Sequence, residues 1–374
     1  MDDLIAELQQ RRTASLELGG AKRVERQHNQ GKLTARERVD LLFDSNSFEE
    51  LGQLTNHVHT PVTTIPNKQT PADGVVTGFG KIEGRQAAVV AEDFTILGGS
   101  LGINNFLKKT RMIELAQRDK LPIVWLFDGA GARTDEFIGE GLAPMHHFMD
   151  VAKLSGVTPQ IAGVLGPCAG DSSLLPAMME FIVMVEGTAM LAAGGPPLVK
   201  MGTGEDVTKE ELGGTDLHCR VSGVGDNRAV DDADAICQIR RYLSYMPTNT
   251  YEYPPYVEPD DSPDRRDEGL AGILPENKRR PYDMKKIIDR VVDRDSFFEI
   301  KSDFAKMMIT GLARMNGHAV GIIANQPKVM AGAITATAGA KHRHFMDLCN
   351  AFHLPIIFLM DTPGVMTGPQ SEKE

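Results

Sequence analysis

One stretch of this chain is written twice. GFGKIEGRQAAVVAE at 78–92 is matched by GLARMNGHAVGIIAN at 311–325, and LPIVWLFDGAG at 121–131 by LPIIFLMDTPG at 354–364. Positions 78 and 311, 84 and 317, 122 and 355, and 128 and 361 are all 233 apart, and Lys108 and Lys341 fall in the same register. One ungapped offset over some fifty residues means that a single supersecondary unit is used twice, with the helix between its strands included. Each copy reads as a hairpin, a helix-length segment and a short apolar strand, the alternation that builds parallel α/β structure.

The first copy sits in a longer frame. Residues 1–43 are charge-rich, with apolar positions at helical spacing (Leu4, Ile5 and Leu8, then Ala35, Val39 and Leu42). This predicts two surface helices, broken near Gly19-Gly20 and Gly31, that pack on the body or on a neighbouring subunit. The body opens at Asp73-Gly74, and Lys81 to Gly84 form the hairpin turn. A helix is expected from about 103 to 118, then a buried strand Pro122–Phe127 ending in Asp128-Gly-Ala-Gly-Ala-Arg133. Another helix, about 142–155, leads to the strand Gln160–Leu165, which ends in Gly166-Pro-Cys-Ala-Gly170. Between Pro247 and Pro281 lie Pro254-Pro255 and the acidic run Glu258 to Asp261, with little apolar periodicity, and a domain boundary belongs there. The expected division is an N-terminal helical arm (1–60), a first domain (61–250), a linker (251–280) and the start of a second domain (281–374). The first copy runs from about 78 to 246, whereas the second, from 311, has 64 residues before Glu374. The expectation is therefore a piece of a protein of about 500–550 residues.

Charge and cysteine usage narrow the function. Forty basic against 51 acidic residues give −11, which argues against a general nucleic-acid binder, since phosphate backbones need a basic face. A small anionic ligand stays open, because helix starts and a few local cations can hold one. Cys168, Cys219, Cys237 and Cys349 form neither a metal-ligand spacing nor a disulfide framework, so a reducing compartment and no metal are expected. The N-terminus runs from acidic to basic, the wrong order for a secretory signal. The most apolar long stretch, 174–199, carries Glu180 and Glu186 and ends in Gly-Gly-Pro-Pro, which argues against a span. The expected setting is cytoplasmic, or the mitochondrial matrix in a eukaryote.

Several motifs fail on context. Gly78-x-Gly80-x-x-x-Gly84 sits in a hairpin with no helix after it, so it is no dinucleotide fingerprint. Asp361-Thr-Pro-Gly364 looks like the metal-sensing turn of a GTPase, but no phosphate-binding G-x-x-x-x-G-K-[ST] loop occurs in the sequence. Ser172 and Ser173 lack a G-x-S-x-G elbow. His146-His147 and His342/His344 read as solvated helix faces rather than metal ligands.

The strongest chemical signal is a pair of strand-to-helix turns with bare backbone. Gly129-Ala130-Gly131-Ala132 follows the strand ending at Asp128, and Gly166-Pro-Cys168-Ala169-Gly170-Asp171 follows the strand ending at Leu165. Small residues there let peptide N–H groups at a helix start face a ligand oxygen, as an oxyanion hole for a thioester enolate would require. Close helix–strand packing demands small residues too, and glycine counts leave the two readings even.

Further stretches carry a family resemblance. GKLTARERVDLLFD (31–44), DFTILGGSLG (93–102), DGAGAR (128–133), GPCAGDSSLLPA (166–177), TGEDVTKEELGG (203–214), RPYDMKKIIDRVVD (280–293), TGLARMNGHAVGIIANQP (310–327) and DTPGVMTGPQSE (361–372) run in family order. Together they resemble the carboxyltransferase (β) subunits of biotin-dependent acyl-CoA carboxylases, the propionyl-CoA carboxylase β family. The resemblance implies tandem crotonase-like α/β domains, the second apparently truncated here. It implies transfer of a carboxyl group from carboxybiotin, delivered on a separate biotin carboxylase/carrier subunit, to the α-carbon of a short or medium acyl-CoA such as propionyl-CoA.

In that family biotin supplies the base, so backbone donors rather than side chains do the catalysis. The implied donors are the N–H groups of Gly131, Ala132, Gly170 and Asp171, with Gly129, Ala130, Arg133, Cys168 and Ala169 lining the acyl-CoA. Arg133 either holds the anionic CoA or braces the loop. A homo-oligomer, dimer-based or hexameric, is implied, with no nucleic acid and no membrane as partner. One departure stands out: the family usually has Gly-Gly where this chain has Gly170-Asp171, which puts a carboxylate beside developing enolate charge. Three other readings follow. The same half-reaction can run in reverse, as in acyl-CoA decarboxylases and transcarboxylases. A biotin-independent crotonase-like hydratase or isomerase would use Glu136 or Glu140 as base. A non-catalytic subunit would only bind partners.

Overall fold

Eight residues of hairpin strand, a sharp turn and eight more open each repeat, because both arms are apolar enough to be covered on their faces. The computed structural model describes residues 1–58, 69–133, 136, 147–277, 280–369 and 371–373, with Asp171 described by its backbone alone. They divide into two units, Met1–His218 with Arg228–Arg240, and Cys219–Asn227 with Arg241–Glu374.

The first unit begins with α1 (Asp2–Leu16), α2 (Ala21–His28) and α3 (Ala35–Leu42), so three helices stand where two were expected. Both predicted glycine breaks are used, Gly20 at φ 89° and Gly31 at φ 74°. Thr34 and Glu37 close a capping box on α3. Then come β1 (Glu49–Leu51), β2 (Val75–Ile82), β3 (Arg85–Glu92), α4 (Ile103–Asp119), β4 (Ile123–Gly129), α5 (Phe148–Leu154), β5 (Gln160–Ala169), β6 (Phe181–Val185) and β7 (Met190–Ala192). The short helices α6 (Pro196–Thr203) and α7 (Lys209–Gly213) precede β8 (Asn227–Ala229) and α8 (Asp232–Tyr245). The sheet runs β1-β2-β3-β4-β5-β6-β8, with β7 also on β5. The β1–β2 and β2–β3 pairs are antiparallel, while β3–β4, β4–β5 and β5–β6 are parallel. Every residue of β4 is buried, the mark of a parallel strand covered on both faces.

Two expectations around β5 need correction. The strand does not stop at Leu165 but continues through Ala169, because 167–169 change neighbour and pair with β7. No α-helix follows it. The chain makes 3-10 turns, Gly170–Leu174 and Pro176–Met178, since Pro176 cannot continue a helix through the preceding residues. Of the helix expected at 142–155, the described part is α5; residues 142–146 lie outside the described residues.

The second unit holds α9 (Lys285–Val291), β9 (Phe298–Ile300), β10 (Met308–Met315), β11 (His318–Asn325), α10 (Ala336–Ala351) and β12 (Ile356–Leu359). Its sheet order is β12-β11-β10-β9. The 233-residue offset carries β2, β3 and the starts of α4 and β4 onto β10, β11, α10 and β12. It also maps the isolated parallel bridge Leu101–Ala132 onto Ile334–Val365.

The structural repeat extends beyond the sequence match. Asp44 accepts from the N–H groups of Glu83 and Gly84 (3.1 and 2.8 Å), and Asp293 accepts from those of Asn316 and Gly317 (2.8 and 2.7 Å). In each unit a helix, an aspartate and a short edge strand therefore clasp the hairpin turn. Here the offset is 249, and the connector after the edge strand, 52–74 against 301–307, absorbs the difference.

Candidate functional site

Asp128 closes β4 with a carboxylate that no solvent reaches. Lys32 Nζ (2.5 Å), Arg38 Nη1 (2.8 Å) and Gln27 Nε2 (3.0 Å) donate to it, so α2, α3 and the loop between them are tied to the strand end. Arg38 also reaches Asp232 through Nε (2.7 Å), and its charge is favoured by both aspartates although burial opposes it. Burial pulls the Lys32 ammonium below its ordinary range, against the pull of Asp128. The Asp128 N–H donates to Glu92 Oε2 (2.9 Å), whose other oxygen takes Lys109 Nζ (2.6 Å). Removing one partner of such a buried set leaves an uncompensated charge, a loss of about 3–5 kcal/mol. The turn after Asp128 therefore starts from a rigid base.

The glycines of the two turns fall into two kinds. A Cβ on Gly129 would collide with the Glu92 carboxylate and Gly99 O, and one on Gly166 with the Asp128 carboxylate. These are packing glycines. Gly131 (φ 94°) and Gly170 (φ 67°) are different, because their ideal Cβ atoms meet nothing nearer than 3.5 and 3.8 Å. They are small for their left-handed backbone and open surroundings, not for close packing. The two turns are neighbours, since a Cβ on Gly170 would sit 3.8 Å from Gly131 Cα.

The available donors follow from the hydrogen bonds already made. Ala130 N–H is taken by Gly98 O (2.9 Å), Leu101 N–H by Gly131 O (2.9 Å) and Arg133 N–H by Leu101 O (2.8 Å). Among the described residues no protein acceptor takes the N–H of Gly131 or Ala132, and Ala132 is exposed. At the second turn Gly170 N–H donates to Ala193 O (3.2 Å), so that implied donor is committed within the fold. The next N–H groups, of Asp171 and Ser172, open the 3-10 turn and have no acceptor inside it. An oxygen gaining negative charge beside this pair of turns would meet oriented peptide dipoles.

The remaining expected residues fall as follows. Arg133 is buried, with Nη1 on Asp73 Oδ1 (2.5 Å) and Glu136 Oε1 (3.1 Å) and Nε on Ser100 Oγ (3.0 Å). Of the two roles left open for it, this geometry is that of a loop brace. Glu136 is fully buried and accepts Arg133 Nη1 on one oxygen and Ile103 N–H (2.9 Å) on the other, so it lacks the exposure of a base that meets substrate; Glu140 lies outside the described residues. Cys168 is buried with its thiol on Ser172 O (3.3 Å), and burial pushes its pKa well up, so it packs the turn rather than reacting. Ala130 is exposed and Ala169 buried. His147 is not on a solvated face: it is buried and stacks on Phe106 at 4.1 Å. His146 lies outside the described residues. His342 sets its ring against the Phe358 edge at 5.7 Å. No local pattern marks Asp73, Lys32, Arg38 and Glu92, because the partners of their side chains lie 17 to 194 residues away in sequence.

The second unit carries a related turn. Ile334 N–H donates to Gly364 O (3.0 Å) and Met366 N–H to Ile334 O (2.9 Å), the bonds that close the first turn moved by 233 residues. Gly364 has φ 118° and open space around it, and Val365 holds the place of Ala132. Beside it, Tyr282 Oη donates to Asp361 (2.7 Å); partial burial and that carboxylate push the phenol pKa up to about 12.

The chain is similar to known proteins in sequence and in fold. The carboxyl transferase domain family matches residues 26–374. Methylmalonyl-CoA decarboxylase subunit alpha of Veillonella parvula is 44% identical over 95% of this chain and 69% of its own length. Propionyl-CoA carboxylase beta chain of Roseobacter denitrificans is 40% identical over 100% of this chain and 73% of its own. The crystal structure of transcarboxylase 12S, a hexamer with methylmalonyl-coenzyme A and methylmalonic acid bound, superposes with a TM-score of 0.92 at 38% identity, covering 100% of this chain and 72% of that one.

Proposed function

Because this chain belongs to the carboxyl transferase family, we propose that it moves a carboxyl group between biotin on a carrier protein and the α-carbon of an acyl-CoA thioester. The observation that carries the reading is the pair of open left-handed turns at Gly131 and Gly170 on neighbouring strands. The N–H groups of Gly131 and Ala132, with those of Asp171 and Ser172 beside them, hold the thioester oxygen. Their bonds strengthen as the α-carbon loses a proton or a carboxylate and charge moves onto that oxygen. Donors of this kind contribute about 2.7–4 kcal/mol each to barrier lowering. The Asp128 ion cluster keeps the first turn from relaxing away from that charge.

Biotin, when bound, supplies or accepts the carboxyl group and moves the α-proton. The Gly364–Val365 turn, whose backbone repeats Gly131–Ala132, suits its ureido oxygen by the same dipole chemistry. The substrate class is short acyl-CoA, propionyl or methylmalonyl, as the names of the relatives say of them. A biotin carrier subunit as partner, a hexamer like that of transcarboxylase 12S, and a cytoplasmic or matrix location complete the proposal. Among the described residues no helix is long and apolar enough to cross a membrane.

Decarboxylation is a second reading, favoured by the 44% identity to a decarboxylase subunit. Purified protein is assayed with methylmalonyl-CoA and free biotin, and separately with propionyl-CoA and a carboxylated carrier. Biotin-dependent turnover in either assay is expected. Hydration of an enoyl-CoA without biotin would replace the proposal with the hydratase reading. Micromolar acyl-CoA binding by calorimetry removes the pure-scaffold reading.

A further inference from the structure

The turn that offers Gly131 and Ala132 is held from behind by a segment with unusual backbone. Ala72, Asp73 and Gly74 are three consecutive left-handed residues, at φ 52°, 50° and 69°. Side-chain-bearing residues adopt that conformation in pairs only when their surroundings impose it. Lys108, buried on α4, ties the segment down: its Nζ donates to Ala72 O (2.8 Å) inside it and to Val75 O (2.5 Å) just after it. The result is that Asp73, with no exposed surface, aims Oδ1 at Arg133 Nη1 (2.5 Å) and Oδ2 at Asn105 N–H (2.8 Å). Asn105 Nδ2 and Arg133 Nη2 return to Asp73 O (3.0 and 3.3 Å). Arg133 is the residue next to Ala132, and its own N–H closes the donor turn on Leu101 O.

The second unit provides an internal control. It keeps the lysine clip, with Lys341 Nζ on the carbonyls of Lys301, Phe304 and Met308 (2.7, 2.9 and 2.7 Å), and Ala305 matches Ala72 with φ 43°. It closes its turn with the same two backbone bonds. Yet at the positions of Asp73, Asn105 and Arg133 it has Lys306, Ala338 and Met366. The two backbone bonds that close the turn therefore form in the second unit without a carboxylate clamp, so closure alone does not call for one.

We infer that Asp73 is a positioning residue for carboxyl transfer: through Arg133 it fixes the Gly131–Ala132 donors against the thioester oxygen. The inference rests on the functional reading above, but one of its tests does not need it. In hydrogen exchange on the full chain, Asp73→Asn should speed exchange of the Leu101 and Arg133 amides by about tenfold or more, leaving the Ile334 and Met366 amides unchanged. In the acyl-CoA assay the same variant should lower kcat by about tenfold to a hundredfold with KM within about twofold, because the loss falls on the transition state. Asp73→Glu should recover part of it, and Asp73→Asn combined with Arg133→Met should lose little beyond either alone. Unchanged exchange at Leu101 and Arg133, or equal loosening in both units, would overturn the inference whether or not the protein turns over acyl-CoA. A kcat held at the wild-type value would overturn it as well. Failure of the wild-type assay with the exchange result intact would remove the carboxyl-transfer reading and leave the clamp.

Discussion

At Gly131 the backbone sits at φ 94° with open space beyond its Cα, whereas at Gly166 the place of a Cβ is filled by the Asp128 carboxylate. Two glycines in similar local sequence should therefore fail differently. Gly131→Ala should fold, losing about 1–3 kcal/mol to strain, and should lower kcat by about a hundredfold as its donors shift. Gly166→Ala should be lost mainly to unfolding, because the ion cluster behind it cannot give way without exposing a buried charge. Thermal melts followed by circular dichroism, paired with kcat per folded molecule, separate the two outcomes. A further substitution tests charge at the second turn. Asp171 follows Gly170 at a place where the family resemblance expects glycine, and a negative charge near the proposed oxygen would oppose the charge it gains. Asp171→Gly should raise kcat/KM for acyl-CoA by about tenfold, equivalent to about 1.4 kcal/mol of relieved repulsion. An unchanged or lower value would show that the carboxylate does not act on the oxygen.

At the scale of elements, the repeat places one buried lysine on α4 and another on α10, each facing main-chain carbonyls. Burial lowers both ammonium groups to about 7, although Glu50 and Asp73 pull Lys108 the other way and Glu299 does so for Lys341. A lysine at about 7 in the fold and 10.5 in the unfolded chain gains a proton on unfolding between those values. Stability linked to it therefore rises with pH across that window, with a slope approaching about 1.4 kcal/mol per unit. Lys108→Met should remove its share of the slope, leaving that of Lys341, and cost about 2–4 kcal/mol, since two buried carbonyls lose their donor. Urea denaturation of both proteins from pH 7 to 10 gives the comparison, and parallel curves would contradict it. The same repeat explains how much of the element plan was readable. Hairpin turns, α4 and β4 announce themselves through local periodicity, and they recur 233 residues on. The extension of β5 through Ala169 was not readable, because Gly-Pro-Cys-Ala becomes strand only when β7 offers it an edge.

Over the whole molecule the directions of carboxyl transfer separate the relatives more than the fold does. A carboxylase chain and a decarboxylase chain match this one at 40% and 44% identity over nearly all its length. The two directions share a thioester enolate, so under the proposed function one set of donors would serve both. Light scattering after size exclusion should give a mass near six chains if the assembly follows transcarboxylase 12S, and a monomer peak would remove that part of the proposal.

The sequence alone determined that one α/β unit is used twice, that small residues follow Asp128 and Leu165, and that the chain resembles acyl-CoA carboxyltransferases. These are properties of residue order, visible as period, offset and motif. Only the tertiary structure decided which glycines are open and which are crowded, that Gly170 N–H is spent on Ala193, and that Arg133 pairs with Asp73. Those facts depend on what lies across the sheet or behind the turn, from segments 23 to 60 residues away, and no local pattern records such a neighbour.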